Sequence, residues 1–286
     1  MAPFRLIEPE ALVSGAVFSS PHSGRAYFRE FVSTTRLSTQ ALRASEDAYV
    51  DDLFAGAPTF GAPLLAATVP RAYVDLNRGP SDVDPSLVEG NHTRPANARV
   101  AAGLGVIPRI VAEGVPIYDR KLRQSDAQDR IAHWHAPYHK KLVELTMRAR
   151  KQFGRAILID CHSMPSGATS LGAVRHGRTA DVVLGDRFGV SALPETVAIV
   201  EQAFVEAGFR VGRNAPFAGG YITERYGRPA MNVCAIQVEI DRGLYLDQTR
   251  IVPTAGFDAL QRALIPVIQR ICAIASSTEP RAVAAE

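Results

Sequence analysis

Cysteine is scarce in this sequence: Cys161, Cys234 and Cys272 stand far apart and form no CxxC pair. That argues against a disulfide framework and against a thiolate zinc site, and it fits a reducing compartment. An excess of one charge is lacking too, since 32 Lys and Arg against 29 Asp and Glu leave a formal charge of +3, with the basic residues scattered. Without a basic stripe, nucleic acid is not the expected partner and a small molecule is. Long apolar runs are missing: none reaches the roughly 20 residues needed to cross a bilayer. Met1 to Leu12, interrupted by Arg5, Glu8, Glu10 and two prolines, offers no apolar core of signal-peptide length. The expected location is the cytoplasm. No repeat or low-complexity linker divides the chain, so one domain is expected over residues 1–275, with the small, polar stretch 276–286 as a loose tail.

What is present is ordinary globular composition, 47% hydrophobic and 21% charged. Apolar runs bounded by turn residues predict strands at Gly15–Ser19, Ala72–Leu76, Ala156–Ile159, Asp181–Leu184 and Ala235–Ile240. Between them, helical periodicity marks Ala127–Phe153, where Pro137 predicts a kink, and also Pro194–Ala207 and Phe257–Ala275. A short helix is expected over Asp47–Phe54. Strands alternating with such helices predict an α/β fold, a single domain with a mostly parallel or mixed central sheet flanked by helices. In such sheets chemistry gathers at strand ends.

Several predicted strands do end in ionisable residues. The first breaks at Pro21-His22-Ser23-Gly24, a turn that lifts an imidazole off the strand end and makes His22 a ligand candidate. In Ile159-Asp160-Cys161-His162, period-two alternation puts Asp160 and His162 on one face and Cys161 on the other. A metal on His162, with Asp160 orienting the ring, would compensate that buried charge, although turn capping is the plainer role for any single histidine. Hydrolytic zinc usually takes three protein ligands. Glu46 and Asp47 are candidates for the third, or simply caps of the helix that follows. The run Gln237-Val238-Glu239-Ile240-Asp241 sets three polar side chains on one strand face, costly in a covered sheet unless it borders a wet cleft, so Glu239 is the candidate general base. After a predicted strand, Asn77 and Arg78 precede a Gly-Pro turn and form a candidate carboxylate clamp, although a surface salt bridge would also explain a single arginine here.

Taken together, Ser20-Pro21-His22-Ser23-Gly24, Glu46-Asp47, Asp75-Leu76-Asn77-Arg78, His133 to His139, Ile159-Asp160-Cys161-His162-Ser163 and Gln237-Val238-Glu239 resemble the N-formylglutamate amidohydrolases, over about Val13 to Gln248. That family is similar in fold to zinc carboxypeptidases and aspartoacylase. The resemblance implies one zinc ion held by His22, Glu46 or Asp47, and His162, with Asp47 preferred. It implies Glu239 as base, Arg71 on the oxyanion, and Asn77 with Arg78 on the substrate carboxylate. The implied reaction is hydrolysis of N-formyl-L-glutamate to formate and L-glutamate, a step of histidine degradation. The chain departs from the carboxypeptidase pattern, in which the acidic ligand follows the first histidine by three residues; here Gly24 and Arg25 follow His22.

Three features stand beside this pattern. His135 and His139 have a zinc-binding spacing but lack the HExxH glutamate, because Ala136 follows His135. The glycine-rich run Asn214 to Thr223 reads as a mobile substrate-covering loop, with Arg225 or Arg228 beyond it as candidates for a second substrate carboxylate or as exposed side chains. A Cys161 thiol nucleophile is disfavoured because its side chain leaves the His162 face. Two rival functions remain open at this level: a peptidoglycan-type or other N-acyl zinc amidase, the former requiring export, and a non-catalytic zinc-binding or ligand-sensing domain, which needs no general base.

Overall fold

A computed structural model of the chain describes residues 1–90, 94–111, 114–171 and 179–276. The strands are β1 (Phe4–Ile7), β2 (Ala16–Ser20), β3 (Leu64–Ala67), β4 (Ala156–Met164), β5 (Val182–Gly185), β6 (Val211–Arg213), β7 (Val233–Asp241), β8 (Leu246–Asp247) and β9 (Val252–Pro253). The helices are α1 (Arg29–Val32), α2 (Thr39–Arg43), α3 (Val50–Leu53), α4 (Ala98–Ala101), α5 (Gln124–Arg130), α6 (Ala136–Phe153), α7 (Pro194–Glu206), α8 (Tyr221–Tyr226) and α9 (Gly256–Ser276). Seven strands form one mixed sheet in the order β1-β3-β2-β4-β7-β5-β6. Its centre, β3-β2-β4-β7, is parallel, β1 is antiparallel to β3, and β5 is antiparallel to β7.

Alternation along the central strands divides the core. Phe18, Ile157, Ile159, Cys161, Ile236 and Val238 pack toward α3, α7 and α9. Val17, Leu158 and Ala235 face the other way, toward Tyr138, Leu142 and Leu145 of α6. On that second face the apolar side chains give way to Asp160 and His162 on β4 and to Gln237 and Glu239 on β7, at the carboxyl ends of the strands. Both strands are buried along almost their whole length, so these polar groups sit inside the molecule.

The predicted strand Ala72–Leu76 is instead a turn-rich segment, in which Tyr73 and Val74 donate backbone hydrogen bonds to Pro70. Its apolar residues are real core anchors, Val74 and Leu76 being fully buried, but they hold a loop down. The strand of this region lies earlier, at Leu64–Ala67, where a run apolar on both faces has no alternation to reveal it. The helix expected to begin at Asp47 begins at Val50, because Tyr49 takes φ 63° and interrupts the helical path. The long helix is continuous from α5 into α6 through a π turn, Ile131–His135. That wide turn accommodates Pro137, whose missing N–H and bulky ring would otherwise strain an α-helical ladder. Of the predicted tail, residues 277–286 lie outside the described residues. Among those described, no helix is long and apolar enough to cross a membrane.

Candidate active site

The carboxyl ends of β2, β3, β4 and β7 open into a cleft of about 510 Å³. His22 stands just past β2, in a turn that only glycine can complete: a Cβ on Gly24 would lie 2.0 Å from the Val69 carbonyl oxygen. Asp47 arrives from the loop ahead of α3, its N–H bonded to the His22 carbonyl at 3.0 Å. His162 comes from β4. The ligand atoms of His22, Asp47 and His162 all lie within 4.8 Å of one another, and all three residues are buried. Residues far apart along the chain therefore converge because parallel neighbouring strands end at one level.

Each imidazole is held from behind. His22 Nε2 lies 2.7 Å from Asp75 Oδ1, which turns Nδ1 toward the cluster. That Nδ1 is buried, 3.3 Å from Asp47 Oδ2, and has no hydrogen-bond partner. His162 Nδ1 lies 2.8 Å from Asp47 Oδ2, and its Nε2 meets Asp160 Oδ2 at 3.0 Å. Burial pushes the Asp47 carboxyl upward, but the His162 and His22 imidazoles prevail and hold it well below its ordinary range. His162 responds in the opposite sense: burial lowers it, yet the acids around it, Asp160 foremost, raise it well above a free imidazole.

Glu239 is the cross-strand partner of His162. Burial raises its carboxyl to about 7, with His162 opposing and Asp47 adding to the rise. Gln237 Nε2 donates to Glu239 Oε1 at 2.7 Å and fixes its direction. Arg71 lines the cleft and is anchored through Nε on Asp75 Oδ2 at 3.0 Å.

The same contacts place the remaining candidate residues. Glu46 lies outside the cluster, accepting from Tyr27 Oη at 2.6 Å and from Arg43 Nε at 3.2 Å. Asn77 borders the cleft, but its amide is committed to protein: Nδ2 reaches Asp160 Oδ2 and His162 Nε2, each at 3.0 Å, and Oδ1 accepts the Ile222 N–H at 2.7 Å. It ties β4 to α8. Gly220 lets α8 approach, since a Cβ there would meet Asn77 Nδ2 at 2.6 Å. Arg225 and Arg228 are exposed and absent from the cleft lining, because α8 turns Ile222, Thr223 and Tyr226 inward and Arg225 outward. Arg228 caps carbonyls of Glu224 and Gly227 instead.

Other groups went without a role in the sequence. Asp75 serves His22, Arg71 and the Asn77 N–H together. Arg242 donates to Asp47 Oδ1 at 2.9 Å and to Ser163 Oγ at 3.1 Å. Their only local signals were an acid beside the Asn-Arg pair and an arginine just beyond a strand end. His135 and His139 also acquire partners: their Nε2 atoms lie 2.8 Å from the carbonyls of Arg78 and Leu76, on either side of Asn77. Both rings are buried and engaged with carbonyls, an arrangement unlike a second metal site.

Comparison with known proteins agrees with this geometry. The family model described as N-formylglutamate amidohydrolase matches residues 14–246. An N-formylglutamate deformylase of Pseudomonas aeruginosa is 34% identical over 206 residues, 71% of each chain. One from Pseudomonas putida is 32% identical over the same share. A crystal structure of N-formylglutamate amidohydrolase from Ralstonia eutropha JMP134 is 38% identical, with a TM-score of 0.89 over 96% of this chain and 99% of that one. A gene product of Agrobacterium tumefaciens shares the fold at 17% identity, with a TM-score of 0.65 over 97% of both chains. The chain, with its buried histidine-aspartate-histidine cluster at the ends of parallel strands, belongs to the N-formylglutamate amidohydrolase family.

Proposed function

We propose that this protein hydrolyses N-formyl-L-glutamate to formate and L-glutamate, with a zinc ion held by His22, Asp47 and His162. The observation that carries the reading is the buried, unpartnered Nδ1 of His22, poised beside Asp47 and His162 and opposite no protein donor. Such an orphaned atom is costly unless something binds it. Two imidazoles and a carboxylate form a three-ligand set that leaves a position open, the arrangement of hydrolytic zinc sites. When bound, the ion supplies Lewis acidity and a positive charge that makes water a better nucleophile.

The side chains supply the rest. Glu239, across from His162, accepts the proton of the attacking water and passes it to the departing amine. Arg71, kept cationic by Asp75, stabilises the negative charge that develops on the formyl oxygen. Arg78 binds the α-carboxylate of the substrate, while Asn77 holds Asp160, His162 and α8 in register. Gln237 keeps Glu239 aimed at the cleft.

The test is to measure metal content and formate release together. Glu239→Gln should retain the metal and lose roughly 100- to 10,000-fold in kcat, the usual contribution of a positioned general base. A variant with intact turnover, or wild-type protein whose turnover is indifferent to exhaustive chelation, defeats the proposal.

A further inference from the structure

Among the described residues, four arginines line the cleft: Arg71, Arg78, Arg99 and Arg242. Two are occupied by acids of the site, Arg71 by Asp75 and Arg242 by Asp47. Among the described residues, neither Arg78 nor Arg99 has a carboxylate at ion-pair distance. Arg78 is buried and spends Nε and Nη1 on the carbonyls of Leu104 and Asn77, which satisfy its hydrogens without cancelling its charge. Burial disfavours its cationic form, with Asp75 and Asp82 opposing from beyond ion-pair distance and the charges of Arg71 and Arg99 adding to the effect. A dehydrated cation beside a second cation calls for an anion.

The backbone around Arg99 is built to keep it there. Arg99 lies on α4, whose N-cap Asn97 accepts from the Val100 N–H at 3.0 Å and donates to Asp82 Oδ1 at 3.1 Å. Asp82 Oδ2 in turn accepts the N–H of Gly79, the residue after Arg78, at 3.0 Å. On the other side the Leu104 N–H donates to the Arg99 carbonyl, and the Leu104 carbonyl accepts from Arg78 Nε, both at 2.9 Å. The two arginine-bearing segments are thus tied together twice. Arg78 sits deep and Arg99 at the rim.

Building on the proposed function, we infer that Arg99 binds the side-chain carboxylate of the substrate while Arg78 holds the α-carboxylate. Arg99 is then the residue that selects acidic over neutral N-formyl amino acids, the part that Arg225 and Arg228 are too far outside the cleft to play. The depth order fits: the α-carboxylate is close to the scissile amide, and the side-chain carboxylate reaches back toward the opening.

The experiment compares kcat/KM for N-formyl-L-glutamate and its neutral isostere N-formyl-L-glutamine, in wild type, Arg99→Ala and Arg99→Lys. Arg99 is exposed, so the variants should fold, which thermal melts verify. Arg99→Ala should lower kcat/KM for formylglutamate by about 10- to 100-fold, mainly through KM, the size expected for a lost charge-assisted contact. Formylglutamine should change by no more than about twofold, and Arg99→Lys should recover part of the acidic preference. Equal losses on both substrates, or an unchanged preference in Arg99→Ala, overturn the assignment. Wild-type protein that cleaves neither compound overturns the proposed function itself and the inference with it, an outcome distinct from a wild type that is selective but indifferent to Arg99.

Discussion

Glu239 shows how a side chain's chemistry is set by its surroundings. An ordinary glutamate titrates near about 4.3, whereas burial lifts this one to about 7. In its proposed role as base it must be ionised to act, so activity should be present above that value and be lost as pH falls through it. A divalent cation nearby favours the carboxylate and moves the midpoint below about 7. The kcat/KM profile of metal-loaded protein should therefore carry an acidic limb whose midpoint lies below 7, whereas the carboxyl of metal-free protein, followed by infrared difference titration, should titrate close to it. A kcat/KM profile flat to about pH 4 would remove Glu239 from the role of base. The residues on period-two strands were legible in the sequence because alternation fixes their face: Asp160, His162 and Glu239 all point where a strand must point them. Asp75, Arg99 and Arg242 were not legible, since loop and short-helix geometry decides their direction, and the committed amide of Asn77 depends on α8, which is distant in sequence.

At the scale of elements, the π turn and α6 act as a clamp on the segment that carries the site. His139 Nε2 donates to the Leu76 carbonyl, while its Nδ1 accepts from Tyr226 Oη at 2.8 Å, so both nitrogens are used only if the ring is neutral. Burial, with His135 adding to it, lowers the His139 pKa to about 3. The sign follows from linkage: between about 3 and the unfolded value of about 6.5 the unfolded chain binds a proton that the native one does not, so this ring removes stability as pH falls. His139→Gln should cost about 1–3 kcal/mol at pH 8 through the unsatisfied carbonyl and hydroxyl. Its deficit relative to wild type should shrink by up to about 1.4 kcal/mol per pH unit below 6.5, because glutamine cannot titrate. Parallel denaturant-stability curves from pH 8 to pH 5 would dismiss a neutral His139. The helix itself was readable from its apolar period, but its histidine spacing had no assignable purpose until the carbonyls of Leu76 and Arg78 were placed opposite it. The fold class was readable too. Strand β3 and the Ala72–Leu76 turn were exchanged because a short apolar run looks the same whether it is buried as strand or as loop.

For the whole molecule, the property that bears on the proposed metal site is that His22, Asp47 and His162 are each held from behind by protein groups. Asp75 fixes His22, Asp160 and Asn77 fix His162, and Arg242 fixes Asp47, with the core packed on both faces of the sheet behind them. A zinc site supported in this way is expected to fold without its ion, unlike a small domain whose metal is its core. Binding still stabilises, since an ion that grips only the native state adds RT ln(1 + [M]/Kd), about 4 kcal/mol at a thousandfold excess over Kd. Chelated protein should therefore melt in one cooperative transition, several degrees below the zinc-loaded form, and zinc should restore the higher value. Asp47→Ala breaks the three-ligand set and also leaves Arg242 without its acid, so its melting temperature should be lower at the start and nearly insensitive to zinc. Differential scanning calorimetry of the wild type and this variant, each with chelator and with zinc, separates the cases. Identical melting of chelated and zinc-loaded wild type, or an undiminished zinc response in Asp47→Ala, would place the ion somewhere other than among His22, Asp47 and His162.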